Sequence, residues 1–262
     1  MLTARAIRQT VMAVCLSFVA TTALAQTKPE PYKPQSGQEG KDVVWVPTPQ
    51  PLVEKMLDLA KVTPQDVVMD LGSGDGRTVI TAAKRGATAI GVEFNPKMVE
   101  LSRQNAKEAG VSGKATFIEG DLFKADLSKA TVITMFLLPQ INMKLRPQIL
   151  DLKPGTRIVS NSFTMEDWEA DQTEQVTEDC TSWCTALLWI VPAKVEGSWS
   201  TPQGDLVLKQ EFQMVSGTMG GKPISEGRLR GDQFTFNVGS TSHTATVNGS
   251  TMNGGGWTAT KK

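Results

Sequence analysis

The segment that most constrains the fold of this chain is residues 67–80, which read VVMDLGSGDGRTVI. An apolar strand runs into Asp70, three glycines follow at Gly72, Gly74 and Gly76, and a helical pattern begins directly after them. In an α/β sheet, such a turn at the carboxyl end of a strand lets the backbone approach a small ligand closely. The segment therefore predicts the first βα unit of a doubly wound sheet with a ligand at its carboxyl edge.

The spacing and the charge of this turn favour one class of cofactor. A dinucleotide fingerprint would need its third glycine at position 77, where this chain has Arg77. The turn also carries Asp70 and Asp75, whereas a pyrophosphate needs backbone N–H groups and a positive helix end. A cofactor with a cationic ammonium and a cationic sulfonium suits an acidic turn better. We therefore predict S-adenosylmethionine as the cofactor.

Three motifs resemble the Rossmann-like, seven-strand class of S-adenosylmethionine-dependent methyltransferases. Residues 70–77 resemble the first cofactor motif of that class. Residues 91–93 (GVE) and 120–122 (GDL) look like the ends of the second and third strands, where the class places acids at the ribose and at the adenine. The alternative is a glycine turn in an unrelated α/β protein. The resemblance implies a mostly parallel, doubly wound sheet of seven strands.

The resemblance also implies a role for each part of the cofactor site. The methionine part would lie against Asp70 and the glycine turn, the ribose hydroxyls against Glu93, and the adenine amine against Asp121. Phe94 and Leu122 would flank the adenine ring. The implied cofactor-binding residues are Asp70, Gly72, Ser73, Gly74, Asp75, Gly76, Glu93, Phe94, Asp121 and Leu122.

A closer resemblance points to the methyl acceptor. Residues 45–49, 70–77, 136–139 and 162–168 look like a bacterial group related to mitochondrial protein-lysine methyltransferases, which act on an ATP synthase subunit and on the adenine nucleotide carrier. The resemblance covers residues 43–192 and implies a lysine ε-amine as acceptor, with another protein or small-molecule amine as the alternative. The chain lacks the acidic-or-Asn, double-proline and aromatic quartet of many amine-methylating members, which argues against nucleobase or glutamine amines.

The acceptor pocket is expected beyond the fourth strand. The candidates to line it are Phe136, Leu138, Pro139 and Trp168. A lysine has a pKa of about 10.4 and must lose a proton before it attacks, and a desolvating pocket lowers that pKa. No residue stands out as a general base, so the catalytic residues are left unassigned.

The first 25 residues have the pattern of a signal peptide. Arg5 and Arg8 precede an apolar run over residues 11–20, and Ala23-Leu24-Ala25 is a small-residue cleavage site. This predicts a periplasmic or secreted protein that begins at Gln26, without a membrane span after cleavage; an uncleaved membrane anchor is the alternative. The 27 basic and 27 acidic residues leave no surplus of positive charge, so no nucleic-acid partner is expected.

Export creates a second functional hypothesis. S-adenosylmethionine is made in the cytosol, so an exported enzyme would lack a supply of cofactor. The alternative is therefore an exported module that binds S-adenosylmethionine or a protein partner, with methyl transfer lost or incidental. The oligomeric state is not constrained by the sequence.

The remaining chain divides by composition. Residues 26–42 are predicted to be a flexible lead, residues 43–192 the methyltransferase domain, and residues 193–262 a small antiparallel β-domain, since residues 196–262 hold 12 of the 23 glycines. Within the methyltransferase domain, strands are expected near 66–71, 88–93, 115–119, 131–136 and 156–161, helices near 51–60, 76–85, 96–109 and 141–151, and a closing hairpin over 176–190.

Two cysteines remain after the signal peptide, Cys180 and Cys184. In an oxidising compartment such a pair is expected to form a disulfide. A straight strand would hold their Cα atoms about 13 Å apart, whereas a disulfide needs less than about 7 Å. A disulfide therefore requires that residues 180–184 turn. With no histidine near them, the two cysteines make a poor zinc site, and no metal is expected.

Overall fold

The computed structural model describes residues 32–262. The predicted signal peptide, its cleavage site and the start of the predicted lead lie outside the described residues. No helix within residues 32–262 has the length and apolar character needed to cross a membrane.

In the part of the chain that the structure describes, an α/β domain carries seven strands and four helices. The strands are β1 (Val67–Leu71), β2 (Thr88–Glu93), β3 (Ala115–Glu119), β4 (Val132–Met135), β5 (Arg157–Asn161), β6 (Gln172–Gln175) and β7 (Thr185–Ile190). The helices are α1 (Gln50–Leu59), α2 (Arg77–Lys84), α3 (Pro96–Glu108) and α4 (Pro139–Leu150), with a 3₁₀ turn at Leu122–Lys124.

The seven strands form one sheet in the order β3-β2-β1-β4-β5-β7-β6. Strands β1 to β5 are parallel, and β7 lies antiparallel between β5 and β6. The predicted fold class is confirmed. The predicted hairpin over 176–190 is only partly right, because residues 176–184 form its loop and the first strand, β6, ends at Gln175.

Both faces of the central strands of the sheet are buried. Along β1 the side chain of Val68 packs into one apolar cluster, and those of Met69 and Leu71 pack into another. A parallel sheet covered by helices on both sides shows this continuous apolar strand pattern. The carboxyl ends of β1 to β5 are thereby left as the accessible edge at which loops converge.

A second domain is a closed barrel of eight antiparallel strands. Its strands are β8 (Gly197–Ser200), β9 (Leu206–Glu211), β10 (Met214–Met219), β11 (Lys222–Arg230), β12 (Gln233–Val238), β13 (Thr241–Asn248), β14 (Thr251–Gly254) and β15 (Trp257–Lys261). Alternate side chains point inward, and Trp199, Phe234, Phe236 and Trp257 fill the interior. The chain enters the barrel from the end of β7 that pairs with the start of β5. That end is opposite the carboxyl edge of the parallel strands.

The junction of the two domains is packed and hydrogen-bonded. The ring of Phe212, in the turn between β9 and β10, stacks on Trp168 with 5.8 Å between centroids. Arg228 of the barrel donates to the buried carboxylate of Asp171 at 2.8 Å, and Gln213 donates to the carbonyl of Glu169 at 2.9 Å. Within residues 32–262, the barrel contributes no side chain to the cleft described next.

Candidate cofactor and acceptor site

A cleft of about 1040 Å³, including space open to solvent, lies at the carboxyl ends of β1, β2, β3 and β4. The loops after these four strands line it, together with the segment that precedes α1. Ligands of open α/β sheets bind at this edge because helix starts and strand ends converge there. The cleft is therefore the candidate site for a nucleoside-sized cofactor.

Gly72 and Gly74 of the glycine turn line the cleft, and Gly76 is the N-cap residue of α2. Gly72, Gly74 and Gly76 all have positive φ, between 54° and 82°. A Cβ atom at Gly74 would lie 2.4 Å from Nε1 of Trp45. The turn therefore requires glycine for conformation at all three positions, and at Gly74 for space as well.

The backbone amides of Gly72 and Ser73 bind the neighbouring strand β2. The amides of Gly72 and Ser73 donate to the carbonyl of Val92, at 2.8 and 3.1 Å. The hydroxyl of Ser73 is buried and has no hydrogen-bond partner among residues 32–262. Both residues line the cleft, while their backbone amides are already paired with Val92.

Glu93 is held by the backbone at the end of β2. The amides of Gly74 and Asn95 donate to its two carboxylate oxygens, at 3.0 and 2.8 Å. Each oxygen has further lone pairs that can accept from hydroxyl groups. The arrangement fits a carboxylate that is oriented before it receives a vicinal diol.

Asp70, near the end of β1, is a buried carboxyl. Thr134 donates to it at 2.6 Å. Burial raises its pKa to about 7, with a smaller increase from the negative charges of Asp75 and Glu93, and the hydrogen bonds from Thr134 and Thr78 oppose this rise. A cationic ammonium beside Asp70 would stabilise the ionised form of this carboxyl, which has no cationic partner within residues 32–262.

Asp75 is already paired with a basic residue, whereas the sequence predicted that it adds, with Asp70, to the negative charge available to a cationic cofactor. Arg77 binds it with two groups, Nη2 at 2.6 Å and Nε at 3.0 Å, and also donates to the carbonyl of Thr48 at 2.9 Å. The neighbouring charge therefore compensates Asp75. Of the three acids at the ends of β1 and β2 that line the cleft, Asp70 and Glu93 are the two that form no ion pair within residues 32–262.

The opposite end of the cleft has an exposed aromatic ring and an acid. Phe94 is 52% exposed, which is unusual for a phenylalanine and leaves part of its ring accessible to a planar ligand. Asp121 accepts from the amide of Phe123 at 3.0 Å and from Nζ of Lys41 at 2.9 Å. The ammonium of Lys41 also lies 5.0 Å from the centre of the Phe94 ring. Lys41 thus lies between the two groups expected to contact adenine.

The expectation of a flexible lead does not describe residues 38–42. Gln38 pairs with Trp45 in a β-bridge, and residues 38–48 line the cleft. The ion pair of Lys41 with Asp121 and the contact of Trp45 with the glycine turn hold this segment in place. Composition gave no signal for it, because both contacts join residues far apart in sequence.

The four acceptor candidates fall into different places. Phe136 lines the cleft directly after β4. Leu138, the N-cap residue of α4, and Pro139, its first residue, are half-buried and do not line the cleft. The prediction that Trp168 lines the acceptor pocket is wrong. Its side chain has no exposed surface and packs between Trp189 and Phe212 at the domain junction. Two other aromatic residues approach Phe136, namely Phe163, with 5.8 Å between ring centroids, and Trp183, with 5.9 Å.

Comparison with known proteins identifies the family. A model of the ANTKMT methyltransferase domain matches residues 70–172. A protein-lysine N-methyltransferase of Saccharolobus islandicus is 43% identical over 152 residues, which are 57% of this chain and 94% of that protein. The chain belongs to the S-adenosylmethionine-dependent protein-lysine methyltransferase family. It is therefore a methyltransferase, and S-adenosylmethionine is its cofactor.

Another member of the family and a solved structure are also similar. The adenine nucleotide translocase lysine N-methyltransferase of Mus musculus is 37% identical over 119 residues, which are 45% of this chain and 52% of that protein. The chain thus spans about half the length of this animal relative. A Salinibacter ruber protein described as an RNA methyltransferase, solved with S-adenosyl-L-homocysteine, is 47% identical and covers 57% of this chain and 96% of that one, with a TM-score of 0.54.

Proposed function

We propose that this methyltransferase transfers the methyl group of S-adenosylmethionine to the ε-amine of a lysine in a protein. The observation that carries the proposal is the 43% identity to the protein-lysine N-methyltransferase of Saccharolobus islandicus, 94% of which the chain covers. The lack of net charge, with 27 acidic and 27 basic residues, is in keeping with a protein substrate rather than with a polyanion.

The proposed cofactor contacts follow from the hydrogen bonds of the cleft. Glu93, held by two amides, would accept from the ribose hydroxyls, and Asp70 would face the ammonium of the methionine part. Asp121 would accept from the adenine amine, with Phe94 against the ring. When bound, the cofactor supplies a sulfonium methyl as the electrophile, and the chain needs to hold it in line with the amine and exclude water.

The acceptor amine must reach the cleft without its proton. Phe136, half-buried where the cleft meets α4, would surround the incoming lysine with apolar surface. Desolvation disfavours the ammonium and lowers the pKa of the lysine, so that more of it is present as the neutral nucleophile. We assign no general base.

We also propose that the protein is exported to the periplasm or beyond it. Support comes from the signal-peptide pattern of residues 1–25 and from the disulfide between Cys180 and Cys184, whose Cα atoms lie 5.8 Å apart. Fusion of residues 1–40 to alkaline phosphatase, which is active only after export, tests it. An active fusion supports export, and an inactive fusion that is stably produced in the cytosol contradicts it.

A second candidate acceptor is RNA, because the Salinibacter ruber protein of 47% identity is described as an RNA methyltransferase. Radiolabelled S-adenosylmethionine, incubated with the purified protein and either a protein extract or total RNA, separates the two. Label in protein that is stable to nuclease and absent with Glu93→Ala supports lysine methylation. Label in RNA alone contradicts it.

A further inference from the structure

Three aromatic rings form a continuous surface at the acceptor side of the cleft. Phe163 stacks on Phe136 with 5.8 Å between ring centroids, and the edge of Trp183 meets Phe136 at 5.9 Å. Phe136 follows β4, Phe163 follows β5 and Trp183 precedes β7, so three loops of the sheet contribute one ring each. Because Phe136 also lines the cofactor cleft, this aromatic surface is continuous with the wall of the cleft.

Trp183 is the exposed member of this surface. It is 46% exposed, and its backbone is left-handed with a φ of 53°, a conformation that is strained for a residue with a bulky side chain. Exposure of a tryptophan forgoes the burial that normally stabilises it. An aromatic residue held in such a conformation at a functional edge indicates a role in binding.

The disulfide fixes the loop that carries Trp183. Cys180 and Cys184 are bonded to each other and enclose Trp183 in a five-residue ring of chain. The loop is closed again at its base, where the amide of Val176 donates to the carbonyl of Cys184 at 2.8 Å. The two closures restrict the backbone on both sides of Trp183 and so limit where its ring can lie.

The charge beside this surface is negative. Residues 172–193, which include the disulfide loop, contain three acids and no lysine or arginine. Glu178 and Asp179 are exposed and directly precede the disulfide loop. An aromatic surface beside exposed carboxylates complements a cation with an apolar stem, which describes a lysine side chain.

We propose that Trp183, positioned by the Cys180–Cys184 disulfide, binds the acceptor lysine together with Phe136 and Phe163. The aliphatic stem packs on the rings, and the ammonium lies over an aromatic face before it enters the cleft. Reduction of the disulfide releases the loop and weakens binding of the acceptor without affecting the cofactor. This inference rests on the proposed lysine acceptor and adds the residue that selects it.

The test is a binding measurement that does not depend on turnover. A fluorescein-labelled peptide of alternating glycine and lysine is titrated with the protein saturated with S-adenosyl-L-homocysteine, and the same peptide with norleucine for lysine is the control ligand. We expect Trp183→Ala to weaken peptide binding at least about fivefold and Trp183→Phe to retain most of it. Cys180→Ser/Cys184→Ser and the reduced parent protein should resemble Trp183→Ala.

Two controls separate a binding role from a structural one. The affinity for S-adenosyl-L-homocysteine should be unchanged in every variant, and Met214→Ala, which removes an equally exposed apolar side chain from the barrel, should leave peptide binding unchanged. An unchanged peptide affinity in Trp183→Ala, no lysine-dependent binding by the parent, or equal loss of cofactor binding overturns the proposal.

The outcome is also distinguishable from failure of the proposed function. If the peptide binds in a Trp183-dependent manner but no labelled methyl reaches any protein, lysine methylation fails and the binding surface stands. If methyl transfer to lysine proceeds with the same KM in Trp183→Ala, the enzyme assignment stands and the role of Trp183 fails.

Discussion

The hydroxyl of Thr134 donates to the buried carboxyl of Asp70 at 2.6 Å, joining the ends of two adjacent parallel strands at the floor of the cofactor cleft. Thr134 stands in β4, whose other three residues, Val132, Ile133 and Met135, are apolar. The hydrogen bond to Asp70 explains why a polar residue occupies this position in an otherwise apolar strand. Burial disfavours the charged form of the Asp70 carboxyl unless a cation lies beside it.

The raised pKa of Asp70 predicts a pH-dependent stability. In the unfolded chain this carboxyl titrates near 3.8 and in the folded protein near 7. Between these values the folded state holds the extra proton, so the contribution of Asp70 to stability is lost as the pH rises. Asp70→Asn should reduce the fall in unfolding free energy between pH 5 and pH 8 by about 3 kcal/mol. Urea unfolding at the two pH values measures it, and an equal fall in both proteins would contradict it.

The same group predicts that the cofactor binds better at neutral than at acidic pH. A cationic ammonium prefers the ionised form of Asp70, so protons compete with it below the pKa of about 7. The Kd of S-adenosylmethionine should rise about tenfold from pH 7 to pH 5.5. Calorimetric titration at several pH values provides the measurement. In Asp70→Asn the affinity should be weaker and nearly independent of pH over this range, and a persistent pH dependence there would assign it to another group.

Lys41 is expected to compete with the adenine amine. Its Nζ atom donates a hydrogen bond to a carboxylate oxygen of Asp121 and lies over the ring of Phe94. Lys41→Met should therefore lower the Kd of S-adenosylmethionine several-fold, whereas Lys33→Met, which removes an exposed charge from the same lead, should not. A weaker affinity in Lys41→Met would show instead that the segment helps to hold the cofactor in the cleft.

Trp168 should behave as a residue of the domain junction. Because it is fully buried between Trp189 and Phe212, Trp168→Ala should cost about 3–5 kcal/mol of stability. The affinity for S-adenosylmethionine, measured at a temperature where the variant is folded, should match that of the parent. Full stability combined with a higher KM for the acceptor would restore Trp168 to the acceptor pocket.

Much of the α/β domain could be predicted because its signals are local. The strand that leads into Asp70 and the glycines at 72, 74 and 76 fix a turn whose backbone only glycine adopts readily. Proline and asparagine likewise mark the start of α3, where Asn95 accepts from the amide of Lys97. Alternation of apolar strands with helices then leaves few possible topologies.

The features that were missed depend on contacts between residues far apart in sequence. Trp168 and Trp183 are both aromatic residues in loops of the same region, and only the packed structure shows that one is buried at the junction and the other exposed at the cleft. Lys41 lies in a polar, proline- and glycine-rich stretch, and its partner Asp121 is 80 residues away. The pairing of Asp75 with Arg77 is local, and the presence of an arginine two residues after Asp75 could have predicted it.

The most direct test of the central claim is calorimetric titration of S-adenosylmethionine into the purified protein and into two matched variants. Glu93 and Glu119 face each other across β2 and β3, but only Glu93 lines the cleft. The account predicts binding to the parent and to Glu119→Gln, and about 10- to 100-fold weaker binding to Glu93→Gln, from the loss of charged hydrogen bonds. No binding to the folded parent, or equal losses in both variants, would contradict the assignment of the cleft as the cofactor site.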